Sequence, residues 1–177
     1  VTAGKNLKDA KKALIMVHGR GATAEDILQL ASYLHVKDYA LLAPEATNHT
    51  WYPHSFIAPV QQNEPWLSSG IEILVDLVNT ITAQGIDTEK IYLLGFSQGA
   101  CLTLEFAARN ATRFGGIVAF TGGLIGEEVN RDNYPGDFKG TPVFISTGNP
   151  DPHVPVERIR ATTDILEEMN AVVTEQV

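Results

Sequence analysis

The stretch "KIYLLGFSQGACLTLEFAAR", residues 90–109, decides how this chain folds. "KIYLLG" is a short apolar run rich in residues that favour strands, and it ends at Gly95. "QGACLTLEFAAR" has the length and spacing of a helix. Between them "GFSQG", residues 95–99, matches G-x-S-x-G. In such a turn the backbone of the central serine is strained, and the residues two before and two after crowd it. Glycine at both places lets strand and helix approach. Ser97 would then stand above the sheet with its hydroxyl exposed, and the head of the next helix would offer free N–H groups and a positive field. The competing reading is a glycine-rich turn with a bystander serine or a bound phosphate. A dinucleotide fingerprint needs G-x-G-x-x-G, which "GFSQGA" lacks.

Working outward, apolar runs alternate with amphipathic stretches. Strands are expected at residues 13–18, 39–44, 90–95, 115–123, 141–149 and 171–177, and helices at 23–34, 65–85, 98–109 and 156–170. "ALIMVH" is continuous enough to be buried on both faces. Thr23 caps its helix, with Glu25 and Asp26 in the first turn. The alternation predicts one domain over residues 1–177, a mostly parallel sheet with helices on both faces. Sites in such sheets form at the carboxyl ends of strands.

Composition narrows the function. Thirteen Lys and Arg against 21 Asp and Glu give a net charge of −8. With no local basic run, nucleic-acid binding is not expected. A single cysteine, Cys101, excludes an internal disulfide framework and a cysteine-rich zinc site, and fits a reducing cytoplasm. It is expected to be a packed small residue rather than a second nucleophile. No apolar run reaches the roughly 18–20 residues of a membrane span. The start "VTAGKNLKDAKK" has no signal-peptide core, although Val1 is not an initiator Met. A cytoplasmic location is therefore expected. No metal or organic cofactor is called for.

The motifs around the serine extend the chemistry. "VHGRGAT", residues 17–23, follows the first clear strand, and its glycines let the Arg20 N–H turn inward. The expected oxyanion donors are the amides of Arg20 and Gln98. The bland reading is an ordinary glycine turn before a capped helix. His18, at the strand end, is expected to make structural hydrogen bonds. Asp151 lies between two prolines in "NPDPHVP" and follows Ser97 in the order Ser, Asp, His, so it is the candidate orienting acid. Alone it would equally be a turn former. Only His153 follows it, two residues on, too near to bridge both partners. The base is therefore expected on a separate loop beyond Val177.

"HGRGA", "WYPHSF", "LLGFSQGA", "DPHVP" and "ATTDILEEMNAVVTEQV" together resemble the phospholipase/carboxylesterase family of α/β-hydrolases, which includes acyl-protein thioesterases. The resemblance covers nearly the whole chain. It implies that Ser97 is the nucleophile, Asp151 the triad acid, and Arg20 and Gln98 the oxyanion residues. It also implies a histidine loop and a last helix after the final strand, so the chain reads as C-terminally incomplete. Trp51, Tyr52, Phe56 and Trp66 fall in the family's substrate-side loop, as pocket lining or as core. The function expected is a serine hydrolase of carboxylic esters or thioesters acting through an acyl-enzyme. Alternatives are a catalytically inactive binding protein on the same fold, or a lactone or other small-molecule hydrolase. The expected partner is a small-molecule ester or thioester; a homodimer stays open.

Overall fold

A computed structural model describes residues 1–148 and 151–177. Its core is one seven-stranded sheet: β1 (Thr2–Gly4), β2 (Lys12–Val17), β3 (Tyr39–Leu42), β4 (Ile91–Phe96), β5 (Gly116–Phe120), β6 (Pro142–Ser146) and β7 (Val172–Gln176). The spatial order is β1-β3-β2-β4-β5-β6-β7. β1 runs antiparallel to β3, and every other pairing is parallel. This is the mostly parallel sheet expected from the alternation. β1 is the exception: "TAG" is three exposed residues with no apolar pattern, and only pairing to β3 makes it a strand. Asn149, included in the strand expected at 141–149, lies outside the described residues.

The strands bury alternate residues on opposite faces. On β2, Ala13, Ile15 and Val17 join one cluster, while Leu14 and Met16 join another. The first cluster is covered by α2 (Trp66–Ala83), α3 (Gln98–Arg109) and α4 (Val156–Glu168). α3 lies deepest, with residues 98–108 all buried. On the other face α1 (Ala24–Leu28) packs Ala24 and Ile27 against Leu14, Met16 and Leu94. Thr23 and Asp26 form a reciprocal capping box at its start. The expected helix over 23–34 is shorter than its pattern, because residues 29–33 tighten into a 3-10 turn.

Three hydrogen bonds across the carboxyl edge set up the site. The Ser97 N–H donates to Phe120 O (2.8 Å), Thr121 N–H to Ser146 O (2.6 Å), and Thr147 N–H to Gln176 O (3.0 Å). The residue after each of β4, β5 and β6 is thus tied to the last residue of the next strand in the sheet.

Candidate active site

Ser97 occupies the junction of β4 and α3 at φ 52°, ψ −119°. A serine at positive φ costs on the order of 1–3 kcal/mol and persists only where its surroundings over-determine it. Here both flanking glycines do so. A Cβ on Gly95 would lie 2.6 Å from Thr103 Oγ1. One on Gly99 would lie 2.7 Å from the Val17 carbonyl carbon and closer still to the oxygens of Val17 and His18. The turn therefore closes only with glycine at both positions. The Ser97 hydroxyl has no hydrogen-bond partner among the described residues and opens on a cavity of about 560 Å³.

The loop after β2 meets this turn directly. A Cβ on Gly19 would be 3.4 Å from the Ser97 Cβ. Gly21 N–H donates to His49 O (2.7 Å) and Ala22 N–H to Gly19 O (3.2 Å), whereas the Arg20 N–H has no acceptor among the described residues. Gln98 begins α3, so its N–H has no helix carbonyl behind it. Two uncommitted amides thus flank the serine, the arrangement an acyl-transfer oxyanion needs.

His18 is fully buried and uses both ring nitrogens on backbone. Ala46 N–H donates to Nε2 (3.1 Å), and Nδ1 lies 2.8 Å from Gly19 O. That pattern assigns the neutral tautomer with the proton on Nδ1. Glu45 Oε1, 3.8 Å from Nε2, is then no ion-pair partner of His18, because that nitrogen's lone pair is already engaged. Glu45 instead accepts from Ala24 N–H and bonds His49, and these contacts outweigh burial and hold its carboxyl below the usual range. This pins the loop after β3 beside the turn at residues 19–21.

The structure sorts the aromatic candidates. Tyr52 and Phe56 line the Ser97 cavity with Arg20, His54, Cys101, Thr121, His153 and Val154. Trp51 instead is buried in the core, its Nε1–H donating to His18 O (2.9 Å) and its ring 5.0 Å from the imidazole. Trp66 is half exposed beside a separate small hollow with Thr47, Asn48 and Pro53. Cys101, one turn past Ser97, is buried, and burial pushes its thiol up to about 12. It is a packed, inert sulfur.

Asp151 Oδ1 accepts from His153 N–H (2.7 Å) and Val154 N–H (2.9 Å), so this carboxylate builds its own turn. His153 and Val154 bring that turn to the cavity wall. Pro150, one of the two expected stiffeners, lies outside the described residues. No histidine ring is hydrogen-bonded to Ser97 among the described residues, although His54 and His153 share its cavity. No group of three or more His, Cys, Asp or Glu is placed to hold a metal ion among the described residues.

Two features were invisible in the sequence. The Gln98 carboxamide accepts from Trp51 N–H (2.9 Å) and donates to Tyr52 O (2.8 Å) and Thr50 Oγ1 (3.3 Å). The Arg20 guanidinium donates to Thr50 Oγ1 (2.8 Å), Pro53 O (3.2 Å) and His54 O (2.9 Å). The residues whose amides flank Ser97 thus both hold the same cavity-lining loop with their side chains. No local pattern announces contacts 30–48 residues apart.

Residues 4–177 match the family model described as phospholipase/carboxylesterase. A solved phospholipase/carboxylesterase from Dyadobacter fermentans is 58% identical with a TM-score of 0.98, over 100% of this chain and 85% of that one. Among curated proteins, acyl-protein thioesterase 1 of Eremothecium gossypii is 31% identical over 64% of this chain and 55% of its own length. The Saccharomyces cerevisiae acyl-protein thioesterase 1 is 28% identical over 85% of this chain and 74% of its own. This chain therefore spans between about half and three quarters of those two relatives. The chain belongs to the phospholipase/carboxylesterase family and has the α/β-hydrolase fold.

Proposed function

We propose that this protein is a serine hydrolase of carboxylic esters or thioesters, with Ser97 as nucleophile. The observation that carries the reading is Ser97 at φ 52° on a glycine-walled turn, its hydroxyl opening on a cavity beside two uncommitted amides. Ser97 Oγ adds to the substrate carbonyl and gives its proton to a histidine base. The oxyanion is held by the Arg20 and Gln98 N–H groups. Collapse expels the alcohol or thiol, which takes the proton, and water then releases the acid from the acyl-enzyme.

In the same reading Asp151 orients the base, its Oδ2 without a partner among the described residues while Oδ1 keeps the turn. In this proposal the base is a histidine that comes later in the protein than His153, in keeping with triad order. The direction of β7 supports this. Its Gln176 carbonyl accepts from Thr147, so the carboxyl end of β7 lies on the edge that holds Ser97. A cytoplasmic location, with Cys101 reduced, belongs to the same proposal.

The test is hydrolysis of p-nitrophenyl acetate and an acetyl thioester by the full-length protein. Ser97→Ala should remove turnover, and Asp151→Asn should lower it by about 10³–10⁴-fold. His153→Ala and His54→Ala should stay within a few-fold. A loss of about 10³-fold in His153→Ala would move the base to that residue. Turnover unchanged in Ser97→Ala would end the reading.

A further inference from the structure

We propose that the substrate carries a carboxylate near its scissile ester or thioester, and that the Arg20 guanidinium holds it. The proposal rests on the hydrolase reading above, since it names the substrate class of that same cavity.

Charge gives the first observation. Among the described residues lining the Ser97 cavity, Arg20 is the one formally charged side chain; the rest are neutral, with His54 and His153 titratable. The chain as a whole carries −8. Arg20 thus puts a positive charge on the cavity wall of an acidic chain, while Asp151 holds the turn that carries His153 and Val154. None of the ion pairs among the described residues includes Arg20. Arg109, by comparison, is neutralised by Glu105 at 2.7 Å.

Rigidity gives the second. Arg20 is exposed, yet its guanidinium is fixed by three neutral oxygens, of Thr50, Pro53 and His54, and lies 5.9 Å from the Tyr52 ring centroid. A guanidinium has five N–H donors. Three are used, which leaves Nε–H and one Nη2–H without a partner among the described residues. Two donors on a single fixed positive charge match a carboxylate, which accepts two parallel hydrogen bonds. The ordering cost of a long side chain has already been met before substrate arrives.

Holding the loop does not by itself account for Arg20. Arg158 does a comparable task, donating to the carbonyls of Leu124, Gly126 and Glu127. Arg158 does not line the Ser97 cavity, whereas Arg20 does. The same three bonds that fix the loop place the charge where a substrate group must pass.

The experiment uses full-length protein and two matched pairs, 3- and 4-acetoxybenzoate against their methyl esters at the carboxyl group. The readout is the ratio of kcat/KM for the anionic over the neutral member, in wild type, Arg20→Gln and Arg20→Lys. Comparing ratios between variants cancels intrinsic reactivity and any general loss from a loosened loop. Arg20→Gln should lower the ratio about tenfold for at least one pair, equal to ~1.4 kcal/mol. Arg20→Lys should keep only part of it, because an ammonium carries the charge without the two-donor fork, and 0.5 M NaCl should shrink it in wild type. A ratio unchanged in Arg20→Gln overturns the proposal. Hydrolysis of the neutral members, lost in Ser97→Ala, keeps the hydrolase reading intact whichever way the ratio falls.

Calorimetric titration with benzoate and with inorganic phosphate reads the site without turnover. Benzoate should bind at least tenfold more weakly to Arg20→Gln. Equal binding to both proteins, or phosphate binding more tightly than benzoate, overturns the carboxylate assignment.

Discussion

Replacing Gln98 by Glu exchanges one buried donor for an acceptor and leaves the shape of the side chain and its backbone N–H in place. The retained oxygen still accepts from Trp51 N–H, but the new one faces Tyr52 O, 2.8 Å from where Nε2 stood. The ionised variant sets a carboxylate oxygen against that buried carbonyl and removes the shorter of its two donors, leaving Thr50 Oγ1 at 3.3 Å, at about 1–3 kcal/mol. It also places a carboxylate on a residue only 6% exposed, where no cation is hydrogen-bonded to the side chain among the described residues. The protonated variant restores one bond by donating to Tyr52 O. The fold therefore favours the protonated form and raises the new carboxyl above its ordinary ~4.3. A raised folded pKa means that the variant is most nearly native below pH ~4.3 and loses stability as pH rises through the folded value. The expected cost is about 3 kcal/mol at pH 8, smaller by at least about 1 kcal/mol at pH 5. Urea denaturation of variant and wild type at both pH values measures it. A variant within about 0.5 kcal/mol of wild type at both would refute the clamp between the elbow and the residue 50–52 loop.

Further outcomes follow from the same packing. Glu105 is buried on α3 and accepts from Ile125 N–H, Tyr134 Oη and Arg109 Nε, so Glu105→Ala should cost about 3 kcal/mol by leaving those donors unpaired; a loss under about 1 kcal/mol in urea denaturation would contradict that role. Cys101, with its thiol pushed to about 12 by burial, should resist Ellman's reagent at pH 8 in the native protein and react fully in 8 M urea. Because that pKa is raised from its ordinary 9.0, the thiol's contribution to stability is present below pH 9 and is lost as pH climbs from 9 towards 12. Native reactivity equal to that in urea would contradict the burial.

The parallel sheet and the elbow were legible because their signals are local. A run such as "ALIMV" reports burial on both faces, and Gly95 and Gly99 report a steric requirement that the packed turn displays. β1 was illegible because its three residues carry no apolar period and owe their conformation to β3. The structural role of His18 followed from its place at a strand end, and both its nitrogens are indeed held by backbone. The loop over residues 51–66 was the hardest to read. Its composition named four aromatics but not their directions, and packing turned Tyr52 and Phe56 to the cavity, Trp51 to the core and Trp66 outward. The hold of the Arg20 and Gln98 side chains on that loop was hidden for the same reason, since it depends on contacts that exist only after the strands have assembled.

The central claim is that Ser97 is the nucleophile, and covalent capture tests it most directly. Full-length protein treated with a fluorophosphonate probe, then digested and analysed by mass spectrometry, should carry one phosphonyl adduct on the peptide containing Ser97. Ser97→Ala, shown to be folded by its urea transition, should carry none. Labelling of the Ala variant at the wild-type rate, or an adduct mapped to another residue, would contradict the account.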